Sequence, residues 1–481
     1  MEDTAEGTLQ SQSDEEIETK EDSDLEMENE ETSDVIELKS YITDDLHIVP
    51  EIVSEIRSTD REVRLAATVK VRRMVAKWPE MAGQPVITSG LLETFVGMLS
   101  SDDLELCTEA AWILIGVTSG SSEQTTAVVT AGALPKLVTL LPCESTEVMD
   151  NALIVLGNIG GDSQRLLDLV VAEGGVKAVL DVLEKPHKYE PKVVNSAAWT
   201  LGNYLNRRTD RGLGYEVTRH AIPILTKFIE NSTDEASEAF PDVLKSLERI
   251  SANETAAEAA IATGITPRLV QLCTSKNDNL RYHALGCLGI FSSGSESSTE
   301  APIKAGFLTV LKSCIESDHV GTRQHACWAA SNIAAGSLSQ AQALFDNDLI
   351  PSIFRVISNQ DEERKTRRDA VWVLLNLTER ICQHSDLLVQ LVRANCMEAV
   401  SLGLCSADHQ TLYNLVEGLG NIVRTQCSGQ EEALERFKVA GGAGRLAAIR
   451  YRPETRGTTI ARMAVDLLRS HFQEFVKRPR V

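Results

Sequence analysis

A short segment, a small turn residue followed by an apolar run, returns along most of this 481-residue chain. It reads SGLLETF at Gly90, AGALPKLVTLL at Gly132, EGGVKAVLDVL at Gly174, TGITPRLVQL at Gly264, AGFLTVL at Gly306 and AGGAGRLAAI at Gly441. Gly90 to Gly132, Gly132 to Gly174 and Gly264 to Gly306 are each 42 residues apart. Intervening copies put other residues at the turn: RHAIPIL near His220, DNDLIPSI near Asn347 and RANCMEAV near Asn395. Gly and Asn share the position because both tolerate the left-handed backbone that ends one helix and redirects the chain into the next. A fixed period of this length means supersecondary units that bury their apolar faces only against their neighbours.

A second series keeps the same beat. Trp112, Ile154, Trp199, Leu244, Gly286, Trp328, Trp372 and Glu417 mark equivalent positions in apolar helical stretches, spaced 42 to 45 residues apart. Each unit therefore reads as a short helix, a turn, a second helix, a short polar loop and a third helix. The pattern predicts an all-α fold, a right-handed superhelical armadillo-repeat solenoid of roughly ten units. Its end units, from about residue 41 and to about residue 476, are expected to act as caps. A chain this long exceeds one ordinary core, and growth by repetition resolves that. Strand-like alternation is nearly absent.

Three of the register tryptophans have an asparagine four residues later: Trp199 with Asn203, Trp328 with Asn332 and Trp372 with Asn376. That spacing puts both side chains on one helix face, about a turn apart. Asparagine is a poor helix-interior residue, so three placements in one register imply that its amide acts outside its own helix. A lone tryptophan on an apolar helix is usually core, as expected for Trp78, which lies outside the register. Repetition reverses that expectation for the others.

Charge narrows the partners. Net charge is −23, and residues 1–34 hold fifteen acids against one lysine. Residues 1–35 are expected to form a disordered acidic tail, in which Ser13 before DEE and Ser23 before DLE resemble sites for an acid-directed kinase; a solubilising tail is the simpler account. The armadillo domain spans 36–476 and a basic tail 477–481. An acidic chain is a poor candidate for nucleic-acid binding, where affinity comes from Lys and Arg releasing counterions, and it suits basic partners. No run approaches the roughly 18 apolar residues of a membrane helix, mean hydropathy is −0.11, and no membrane partner is expected. Ten cysteines without a CxxC, and no leader-like stretch, suggest reduced thiols and an intracellular address. The sequons at Asn231, Asn253 and Asn376 would then go unglycosylated. GNIGGD at 157–162 lacks the Gly-Lys-Ser/Thr of a phosphate loop, and no HExxH or Gly-x-Ser-x-Gly occurs. Neither a catalytic constellation nor a metal or cofactor site is expected.

These residues resemble the importin-alpha (karyopherin-alpha) adaptors, over about 36–476. EAAWILIGVTSGSSEQTTAVVTAGALPKLVTLL at 109–141 is similar to that family's second repeat and VLGNIGGDSQ at 155–164 to its third. HACWAASNIAAGS at 325–337 and DAVWVLLNLT at 369–378 resemble its seventh and eighth. The resemblance implies a concave groove that binds lysine/arginine-rich nuclear-localisation signals in protein import, with residence in cytoplasm and nucleus. Stacked indoles make slots for the aliphatic stems of Lys or Arg, asparagine amides pair with the peptide backbone, and a carboxylate selects the cation.

Carried over by position, the minor site implied is Trp328, Ser331, Asn332, Asp369, Trp372 and Asn376. The major site is partial. Trp112 is present but Gly116 replaces its asparagine; Asn158 is present but Ile154 replaces its tryptophan; Trp199, Asn203, Gly120, Thr125 and Asp162 are retained. The middle of the groove has diverged, with Leu244, Glu248, Gly286 and Ile290 at family positions. An importin-alpha begins with a basic segment that recruits importin-beta, whereas this chain begins with acids, so importin-beta stays an open partner. Instead of an acidic C-terminal region, residues after 444 carry Arg445, Arg450, Arg452, Arg456, Arg462 and Arg469, which leaves the export receptor open too. Lys477-Arg478-Pro479-Arg480 fits an import signal, a groove ligand in cis or trans, or simply a favourable charge at a helix C-terminus. A scaffold that holds partners without transport is the alternative function. The intact pairs predict that the C-terminal half binds basic peptides at least as well as the N-terminal half.

Overall fold

A computed structural model describes residues 37–43, 47–205, 213–232, 237–381, 384–405, 408–425 and 429–476. The acidic stretch with Ser13 and Ser23, and the basic 477–481, lie outside the described residues. The described residues are helical throughout, apart from loops and one antiparallel bridge between Ile42 and Ile48. None of these helices is long and apolar enough to cross a membrane.

The expected unit is present. Ser122–Thr130, Ala133–Leu140 and Thr146–Asp162 make one three-helix repeat, and Glu296–Lys304, Phe307–Ile315 and Val320–Ala335 another. Ten third helices occur among the described residues: Arg61–Lys77, Leu104–Thr118, Thr146–Asp162, Pro191–Tyr204, Ala239–Ser251, Asp278–Phe291, Val320–Ala335, Arg364–Ile381, His409–Arg424 and Thr459–His471. The chain falls into two compact units, residues 1–159 and 160–481.

Turn chemistry explains the joint between first and second helices. Gly90, Gly132, Gly174, Gly264, Gly306 and Gly441 all take positive φ, between +63° and +87°. Asn395 does the same at φ 68°. Two expectations are corrected. Near Asn347 the left-handed residue is Asp348 (φ 53°), whose short polar side chain tolerates that backbone, while Asn347 donates Nδ2 to the Ala343 carbonyl at 2.8 Å. Near His220 there is no turn: Tyr215–Asn231 is one unbroken helix. Arg219, His220 and Ala221 include no Gly, Asn or Asp, and the helix continues, with Pro223 inside it.

The loop before the third helix is a small capping device. Ser58, Ser101, Ser275 and Ser317 each accept, on Oγ, the backbone N–H two residues on, at 3.0–3.2 Å. That next residue, Asp60, Asp103, Asn277 or His319, is the N-cap, and its side chain accepts a first-turn N–H. Arg64, Arg281 and Arg323 then reach back to the carbonyls of Ser58, Ser275 and Ser317 at 2.6–3.0 Å. The device repeats because the loop's orphan backbone groups repeat.

Third helices pack on one another through small residues. Val320–Ala335 buries Ala326, Cys327, Ala329, Ala330, Ile333 and Ala334, and Arg364–Ile381 buries Ala370, Val371, Val373, Leu374 and Leu377. Trp78 is only partly buried, at the joint between Arg61–Lys77 and Pro79–Thr88, rather than in the core. Three arginines of the C-terminal stretch serve the fold. Arg445 donates to Ser401 Oγ and the Ala440 carbonyl, Arg450 to the Val476 carbonyl at 3.0 Å and Arg452 to the Leu404 carbonyl at 2.6 Å.

Candidate functional site

In unit 160–481, two consecutive third helices build a cleft of about 680 Å³. Trp328, Ser331 and Asn332 come from Val320–Ala335, and Asp369, Trp372 and Asn376 from Arg364–Ile381. All six residues expected of the minor site thus line one cavity. Trp372 keeps 36% of its surface exposed, which a core tryptophan would not. Trp328 lies against Gly289 of the preceding third helix, where a Cβ would sit 2.4 Å from the indole. Glycine lets the ring rest on backbone.

The asparagines differ from expectation in one respect. Asn332 donates Nδ2 to the Gly289 carbonyl at 2.9 Å, and Asn376 donates Nδ2 to the Ser331 carbonyl at 2.8 Å. A carbonyl only accepts, so these bonds fix which way each amide faces. Each asparagine therefore ties its helix to the preceding third helix and keeps Oδ1 and one N–H for a ligand. Ser331 donates its hydroxyl to the Trp328 carbonyl at 2.7 Å. Asn421, four residues after Glu417, repeats the tie by donating Nδ2 to Thr378 Oγ1 at 3.3 Å. Register spacing alone could have found it.

Asp369 is 7% exposed. Burial lifts its carboxyl above the usual range, while Arg368, 3.6 Å away, and Gln324, donating at 3.4 Å, oppose the lift. A buried carboxylate without a full cationic partner has gain in reserve for an incoming ammonium or guanidinium. Sequence reasoning missed Gln324, His325, Arg368 and Gln410, which complete the lining together with Glu248. The helical signal was available: Gln324 and His325 precede Trp328 by four and three residues, as Arg368 and Asp369 precede Trp372.

The residues expected of the major site are divided between the two units. In 1–159, Trp112 already carries a cation. The Arg72 guanidinium lies 6.0 Å from its ring centroid, and Arg72 Nε bonds Glu109 at 2.6 Å. Gly116, where an asparagine was expected, accommodates Val75, whose Cγ1 would be 2.0 Å from an added Cβ. Asn158 donates Nδ2 to Thr118 Oγ1 and Ser119 Oγ at 3.1 and 3.3 Å. Thr125 is buried, with its hydroxyl within reach of the Thr118 and Ser121 carbonyls at 3.3 and 3.2 Å. Gly120 leaves room for Gln124, which closes a capping box with Ser121. In 160–481, Trp199 is 37% exposed, Asn203 is half-buried with its Cβ against Gly161, and Asp162 is half-buried.

Comparison with known proteins agrees with this architecture. Residues 121–160 match the armadillo/beta-catenin-like repeat. Importin subunit alpha-1a of Oryza sativa subsp. japonica is 31% identical over 308 residues, 63% of this chain and 57% of the relative. Importin subunit alpha-2 of Arabidopsis thaliana is 33% identical over 49% of this chain and 43% of its own length. Importin subunit alpha-5 of Arabidopsis thaliana is 29% identical over 78% of this chain and 71% of its own length. The chain spans about half the length of the first of these curated relatives. A crystal structure of an engineered protein superposes with a TM-score of 0.75 at 23% identity, covering 88% of this chain and 98% of that one. The chain thus carries an armadillo repeat within an all-α solenoid and is similar to importin-alpha subunits.

Proposed function

We propose that this protein is a non-enzymatic receptor for lysine/arginine-rich linear motifs, an importin-alpha-like adaptor that binds nuclear-localisation signals and moves between cytoplasm and nucleus. The observation that carries this is the cleft in which Trp328, Trp372, Asn332, Asn376 and Asp369 converge. Its indoles accept the aliphatic stem of a basic side chain, Asp369 holds the charged end, and the unused amide oxygens accept backbone N–H groups of an extended peptide. Similarity to importin-alpha subunits supports the same reading. Coupling to importin-beta belongs to the proposal only as a question for experiment.

A second reading, a scaffold that holds partners without transport, is favoured by Trp112, whose ring the protein's own Arg72 already covers. Titration of a monopartite and a bipartite signal peptide against wild type, Trp199→Ala and the Trp328→Ala/Trp372→Ala double variant, followed by addition of importin-beta, separates the two. Micromolar or tighter binding by wild type, lost in the double variant, is the expected result. Absence of binding by wild type would overturn the receptor. Binding without importin-beta recruitment would leave the scaffold.

A further inference from the structure

The end of the cleft nearest Trp328 contains a carboxylate lying over a glycine that holds the tryptophan position of the register. Glu248, on Ala239–Ser251, lies over Gly286, which occupies the tryptophan register position of the next third helix. A Cβ at Gly286 would sit 2.2 Å from Glu248 Oε1. The carboxylate therefore occupies space that any larger side chain there would fill. It is held from behind: His283 donates Nδ1–H to Glu248 Oε2 at 2.6 Å.

The other oxygen faces a second imidazole. His325, three residues before Trp328, lies with Nδ1 3.3 Å from the Gly321 carbonyl. That carbonyl only accepts, so Nδ1 carries the proton and Nε2 presents its lone pair. Nε2 lies 4.0 Å from Glu248 Oε1. Two acceptors thus face each other across a gap, and Glu248, His325 and Trp328 all line the cleft. A nitrogen donor seated over the gap can lie about 2.9 Å from both. His325 is a poor source of that proton, because burial holds its imidazole toward the neutral form. The Tyr282 ring, 3.9 Å from the His325 ring centroid, fixes the imidazole in place. On the Glu248 helix, Arg249 donates to the Gly202 carbonyl at 2.7 Å, and Lys245 lies one turn earlier.

We propose that Glu248 and His325 Nε2 form a specificity-determining receptor for one additional Lys or Arg side chain of the bound peptide, next to the Trp328 slot. This rests on the basic-peptide reading above and adds a subsite to it. The ligand class is a cationic side chain on an extended chain, because the receptor opens into the same cleft as Trp328, Trp372 and Asp369.

The test uses the full chain and a fluorescent peptide with a Lys-Arg-Lys core in an alanine background. A single further lysine is moved outward one residue at a time on each side. For wild type, one outward position is expected to tighten binding about tenfold, the scale of one charge-assisted contact in a partly wet site. Glu248→Gln keeps the acceptor for His283 and the side-chain volume. It should lose that gain, read within the variant as the ratio of its affinities for the extended and the core peptide. Trp328→Ala should lose the core affinity itself. A wild type that binds the core with no favoured outward position, or a gain that survives in Glu248→Gln, overturns the receptor and leaves the groove standing. Failure of wild type to bind the core overturns both. If Glu248→Gln does not fold, His325→Phe, which keeps a ring against Tyr282 and removes Nε2, supports the same comparison: an undiminished gain rejects the proposal.

Discussion

At the residue scale, Asp369 shows how a binding group is held at some expense to the fold. Burial raises its carboxyl pKa, so the folded protein holds the charged form less well than the unfolded chain does. Above that raised pKa the ionised carboxylate therefore costs stability, and a neutral isostere removes the cost. Asp369→Asn should raise the thermal midpoint at neutral pH while weakening a basic peptide about tenfold; melting and anisotropy on the same samples check both. The same residue and His325 set the pH response. As pH falls, Asp369 gains a proton and loses its charge, and His325 protonates through its lowered pKa and gains one. Around Glu248 the other titratable neighbours include His283, Tyr282 and Cys287, with Lys245 one turn earlier on its own helix and Arg368 across the cleft. Both changes oppose a cationic ligand. Affinity is expected to decline on acidification, and titrations of Asp369→Asn with His325→Phe across the same range should show most of that decline removed.

At the element scale, the asparagines act on two helices at once. Asn332 belongs to Val320–Ala335 but bonds the carbonyl of Gly289 in Asp278–Phe291. From charge alone, Asn332→Asp should help a basic peptide. The structure predicts a fold penalty, because a carboxylate cannot donate to that carbonyl and two acceptors would meet. A loss of about 1–3 kcal/mol is expected, with faster amide exchange in 278–291; unchanged denaturant midpoints would contradict the tie. The capping loops are more modular. Asn277 caps its own helix, accepting from the N–H groups of Asn279 and Leu280, so Asn277→Ala should cost about 1 kcal/mol and leave peptide affinity untouched.

At the scale of the whole molecule, repetition makes the register positions comparable and their differences meaningful. Trp328 and Trp372 have asparagine partners and a buried carboxylate in one cleft. Trp199 has Asn203, and Trp112 has Arg72 over its ring with no asparagine one turn on. Trp372→Ala is therefore expected to cost at least as much peptide affinity as Trp199→Ala, measured by parallel titration with one monopartite peptide. A much larger loss in Trp199→Ala would shift the main binding surface out of the cleft.

Much of this was legible in the chain because helix periodicity and turn chemistry are local. The 42-residue spacing of glycines that can adopt positive φ, and the tryptophan–asparagine offset of four, determine the units, their third helices and which side chains share a face. The failures were local too. Near His220 the motif RHAIPIL has no Gly, Asn or Asp for the turn, and the helix ran on. Contacts between side chains some 40 residues apart, one repeat to the next, were decided by packing. Only the tertiary structure seats Arg72 on Trp112, spends one amide hydrogen each of Asn332 and Asn376 on the preceding helix, and lays Glu248 over Gly286 against His283. Spacing says which faces repeat; how neighbouring faces fill one another's gaps depends on side-chain volume and hydrogen-bond direction.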